Sequence, residues 1–64
     1  MFNAYKVKYE IFEKKDIKPF YRTYAFSAAG KRQAMKTAID ILTDYIVDMN
    51  YYSGSIKQIT TIKF

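Results

Sequence analysis

The sequence predicts an α+β fold of ββαβ order: a three-stranded sheet, strand order 2-1-3, with one helix packed on one face. Three observations carry this expectation. Two N-terminal segments alternate apolar and polar residues with period two, the middle of the chain repeats apolar residues at three- and four-residue steps, and the last segment returns to β-branched residues. At 64 residues there is room for one domain, 1–64, and a domain of that size buries only about 60% of the surface of its unfolded chain.

The first strand is expected over Phe2 to Phe12. Tyr5, Val7, Tyr9 and Ile11 fall on one face, and Lys6, Lys8 and Glu10 on the other. Glu13-Lys14-Lys15-Asp16 is a charged turn. The second strand, about Lys18 to Phe26, places Phe20, Tyr24 and Phe26 together. Arg22 shares that apolar face. Either its stem packs while its head escapes at the sheet edge, or the register of this strand is shifted.

The helix is expected to start at Gly30, an acceptable N-cap, with Gln33 bonding back to its amide; Ser27 is the competing cap. It runs to about Met49. Ala34, Ala38, Ile41, Leu42, Tyr45 and Met49 set the apolar period, and Met35, Ile39 and Ile46 widen the arc to about 160°, more than one sheet contact needs. Asn50 can end the helix in a left-handed conformation, and Ser53-Gly54-Ser55 reads as a turn. The last strand is Ile56 to Phe64. Ile56, Ile62 and Phe64 share parity but Ile59 does not, so either a bulge intervenes or Ile59 faces outward.

The hairpin makes strands one and two antiparallel, and a helical crossover makes strands two and three parallel. Strand one is then central, and strands two and three are both open edges.

Composition excludes much chemistry. The chain has no cysteine and no histidine, so nucleophile–base pairs, thiolate metal sites and the commonest zinc ligand are all missing. Its two glycines, Gly30 and Gly54, cannot form a phosphate-binding loop. The expectation is a protein that is not an enzyme, needs no cofactor or metal, and works by binding. No stretch has the apolar run of a signal peptide or a membrane span, so the expected location is the cytoplasm. With no disulfide or metal to reinforce so small a core, self-association is the remaining means, and a homodimer is predicted.

Two surfaces are candidates. Lys6, Lys8, Tyr21, Thr23, Lys57 and Lys63 are expected on the open sheet face. A net charge of +5 with lysines among tyrosines suits a partner protein or a single-stranded nucleic acid, and equally suits a merely solvated sheet. On the helix, Lys31, Arg32 and Lys36 lie toward the positive end of the dipole, while Asp44 and Asp48 lie at the negative end and Asp40 between. Each terminal charge is unfavourably placed. An antiparallel pair of helices in a two-fold dimer would set each basic end against an acidic one.

The ββαβ layout, the small size and the Lys-, Ile- and Tyr-rich, cysteine-free composition together look like small proteins made by phages and mobile elements of low-GC bacteria, anti-CRISPR proteins among them. That resemblance implies a protein that binds one bacterial host or defence component and blocks or modulates it. A basic nucleic-acid-binding protein is the second reading, and a small phage assembly component the third.

Overall fold

In the computed structural model, which describes residues 2–62, strand β1 (Asn3–Phe12), strand β2 (Phe20–Ala28), helix α1 (Lys31–Met49) and strand β3 (Ser53–Ile62) follow in that order. The sheet order is β2-β1-β3, with β1 antiparallel to both neighbours and α1 on one face. This is the predicted ββαβ arrangement. The result is a thin slab of 41 × 18 × 14 Å.

The core follows from the period of β1. Tyr5, Val7, Tyr9 and Ile11 are buried against the helix, where Ala34 and Ala38 are the buried contacts. Two alanines four residues apart let the helix backbone sit close to β1. The Tyr9 hydroxyl therefore reaches the helix and donates to the Ala38 carbonyl at 2.6 Å. Toward its C-terminal half the helix rests on Gly54. A Cβ there would lie 3.0 Å from Ile46 Cδ1 and 3.0 Å from Leu42 Cδ1.

That seat corrects one expectation. Ser53-Gly54-Ser55 is not a turn but the start of β3, with Gly54 paired to Ile11. The chain reverses one step earlier, at Asn50. There the left-handed conformation (φ 55) and amide bonds from Asn50 to the Val47 carbonyl and from Tyr51 to the Ile46 carbonyl close the helix.

A bulge settles the parity of β3. Tyr9 pairs with Ile56 and Lys8 with Gln58, which leaves Lys57 as the extra residue. Ile56 and Ile59 consequently both pack on the core. The same step carries Ile62 to the other face, opposite Ala4, so Ile56 and Ile62 do not share a side. Phe64 lies outside the described residues.

Two further details differ from expectation. The second strand begins and ends two residues later than the sequence suggested, because pairing to β1 runs from Ile11↔Phe20 to Asn3↔Ala28. Ser27 is thus a strand residue and not a cap. Gly30 is the N-cap but has no side-chain cap bond, and Gln33 Oε1 accepts from the Ala29 amide at 2.6 Å, one residue before the expected donor. Arg22 does lie on the helix side of β2, exposed at the edge, with its guanidinium 5.9 Å from the centroid of the Phe20 ring.

Candidate functional site

On the outer sheet face the period-two rule places Lys6, Lys8 and Glu10 in line along the central strand. Register sets Tyr21 beside Glu10 and Thr23 beside Lys8 from one neighbour, and Gln58 and Thr60 beside Lys8 and Lys6 from the other. Lys6, Lys8, Thr23, Gln58 and Thr60 line a shallow depression of about 190 Å³. Lysine ammonium groups among hydroxyl and amide donors favour an anion there.

Glu10 organises one end of this face. The Tyr21 hydroxyl donates to Glu10 Oε2 at 3.0 Å, and Lys57 Nζ lies 3.8 Å from Glu10 Oε1. That hydrogen bond, with the carboxylate's charge, pushes the Tyr21 phenol above its ordinary value. Lys8 Nζ sits 5.0 Å from the centroid of the Tyr21 ring. The structure therefore gathers Tyr21 and Lys57 about the Glu10 carboxylate and sets Lys8 over the Tyr21 ring, with Lys6 further along, while Lys63 lies outside the described residues. Tyr21 is already engaged through both its hydroxyl and its ring, so a base would have to displace Lys8 to stack on it.

The six charged helix residues are all exposed, and among the described residues none makes an ion pair. No acidic residue occupies the first turn and no basic residue the last. Arg32, Lys36, Asp40, Asp44 and Asp48 follow one another at four-residue steps along one exposed stripe of α1, and Lys31 stands apart from it. Lys31 lines a groove with Met35 beside β3, whereas Asp40 is nine residues on, roughly half a turn round the helix. Asp44 and Asp48 continue from Asp40 on that other side.

Sequence reasoning missed two features. The first is that groove, about 210 Å³, between α1 and the β3 side of the sheet, lined by Tyr5, Lys31, Ala34, Met35, Ile59 and Thr61. Met35 and Ile39 stay 41% and 49% exposed along the helix beside it. The excess width of the apolar arc was the signal. The second is a chain of rings on the β2 side. Tyr24 stands 5.9 Å from Tyr9 and 6.4 Å from Tyr45; Tyr51 stands 5.4 Å from Tyr45 and 5.5 Å from Phe20. The Tyr45 hydroxyl beside Tyr51 holds that phenol above its ordinary value. Tyr24 and Phe20 were assigned to the correct face, but the partners in α1 and after it come only from the fold.

Among the described residues no group of three acidic, histidine or cysteine side chains converges to hold a metal ion, and no helix is long and apolar enough to cross a membrane. No protein-family model, curated protein or solved structure matches the chain.

Proposed function

We propose that this chain is a non-enzymatic binding protein of the phage or mobile-element kind, which acts in the cytoplasm of a bacterial or infected cell by covering a host or defence protein. The observation that supports this reading is the β3 side of the molecule. An unpaired strand edge there runs beside a groove whose rim carries exposed Met35 and Ile39 and whose lining includes Lys31. A short extended acidic segment of the partner fits that surface: backbone bonds to the regular stretch of β3 past the Lys57 bulge, residues 58–62, an apolar side chain in the groove, and a carboxylate toward Lys31. The net charge of +5 favours such a partner over a basic one.

Affinity capture from bacterial lysate, with and without nuclease and across a salt series, tests the proposal. A specific protein should be retained after nuclease and between 50 and 200 mM salt, and the exposed-residue variant Met35→Asp/Ile39→Asp should lose it. Retention that vanishes with nuclease, or that falls roughly a thousandfold over that salt range, would replace this reading with nucleic-acid binding through several phosphates. The Lys6 and Lys8 depression is the observation that favours this second reading. Its variant, Lys6→Glu/Lys8→Glu, should abolish nucleic-acid capture and leave protein capture intact.

A further inference from the structure

The two open edges of the sheet are not alike. The β3 edge is interrupted by the bulge at Lys57, and bulges and lysines are the devices that blunt strand-to-strand pairing. The β2 edge has none of them. Its nine residues pair with β1 without a register shift, contain no proline, and carry one charge, Arg22. Nothing among the described residues covers that edge. A small domain that leaves nine unblunted strand residues open has a template for a further strand.

We propose that the β2 edge pairs with the β2 edge of a second copy of this chain, antiparallel about a two-fold axis at Tyr24, to form a continuous six-stranded sheet. The axis position follows from the strand itself. A two-fold perpendicular to the sheet keeps like faces together, so it must pass beside one residue, and Tyr24 is the midpoint of Phe20–Ala28.

That register is complementary in size and chemistry. Phe20 falls opposite the partner's Ala28, Tyr21 opposite the partner's Ser27, and Thr23 opposite the partner's Ala25, each a large residue against a small one. Arg22 falls opposite the partner's Phe26, where its guanidinium gains a second ring in addition to Phe20. Tyr24, 36% exposed in the single chain, meets its own copy, so the chain of rings runs unbroken across the seam. No like charges oppose one another. The β3 side stays free for another partner.

The absence of cysteine permits a sharp test. Thr23 and Ala25 are exposed on the outer face, so Thr23→Cys and Ala25→Cys should both fold. Mixed and oxidised, the two variants should cross-link to each other in preference to themselves, since opposed Cβ atoms lie within disulfide reach and diagonal ones do not. In sedimentation equilibrium the unmodified chain should show twice its 7.6 kDa mass. Thr23→Lys/Ala25→Lys should weaken association by about tenfold, and an equimolar mixture with Thr23→Glu/Ala25→Glu should restore it. A monomer at every concentration would overturn the proposal. So would cross-linking without preference. A dimer dissociated by Asp44→Lys/Asp48→Lys but not by Thr23→Lys/Ala25→Lys would place the contact on the helix instead.

Discussion

Tyr9 is the residue on which the two layers meet. Its ring is fully buried, and its hydroxyl supplies the 2.6 Å bond that ties the sheet to the Ala38 carbonyl. Burial, and secondarily the neighbouring Tyr24 hydroxyl, pushes its phenol up to about 12 from an ordinary 10.0. The folded chain thus holds this proton more tightly than the unfolded chain does. Its contribution to stability is complete below pH 10 and is lost as pH rises through 10 to 12, at no more than about 1.4 kcal/mol per pH unit. Tyr9→Phe keeps the ring and removes the titration. Denaturant unfolding should show a loss of about 1 kcal/mol at pH 8 and a smaller decline than the parent between pH 10 and 12.

Gly54 makes the opposite kind of contribution, through what it lacks. A methyl group there would meet Leu42 and Ile46 at 3.0 Å and the Glu10 carbonyl at 3.4 Å. Gly54→Ala should therefore cost about 1–3 kcal/mol by pushing helix from sheet, whereas Gly30, with open space around it, tolerates a side chain. The sequence signalled only that Gly54 was small and flanked by serines, which reads as a turn. Its actual reason, a helix lying across it, is a contact between segments far apart in the chain.

At the scale of elements, α1 has weak ends. Its N-cap lacks a side-chain bond and neither terminal turn carries charges that complement the dipole. Gly30→Asp should raise stability by about 0.5–1 kcal/mol by capping the first amides with a negative charge, readable as a higher melting temperature. Asp48→Lys, in the last turn, should also stabilise the helix, by about 0.3–1 kcal/mol, whereas Asp44, a turn further in, should change it less.

These elements were largely legible because each has its own period. β1 alternates without exception from Tyr5 to Ile11, and the apolar positions of α1 from Ala34 to Met49 keep the helical step. β3 was legible in kind but not in register. The break in its alternation at Ile59 showed that something intervened, yet only pairing with β1 assigns the extra residue to Lys57. The basic face was readable for Lys6, Lys8, Tyr21 and Lys57 by parity alone. The role of Glu10 was not, since it depends on cross-strand neighbours from both sides.

At the scale of the whole molecule, the chain is a slab in which seven apolar residues are buried among the described residues, four of them on β1. The other described apolar residues divide about evenly between half-covered and exposed, so a binding partner or a second copy has apolar surface to remove from water. Association should accordingly raise the melting temperature with protein concentration, as expected when the assembled form is the stable one. A melting temperature constant across a hundredfold dilution would contradict that.

The central position of β1 also dictates how the chain must assemble. Its two ladders are of comparable length, yet β2 follows it across the short turn between residues 13 and 19, while β3 arrives only after the whole helix. The hairpin closes a small loop and the other ladder a large one, which is slower to find. Until the second ladder zips, Tyr5, Val7, Tyr9 and Ile11 lack one flank, and β1 itself is briefly a naked border strand. Time-resolved amide exchange should find β1–β2 protection appearing first and β1–β3 protection last.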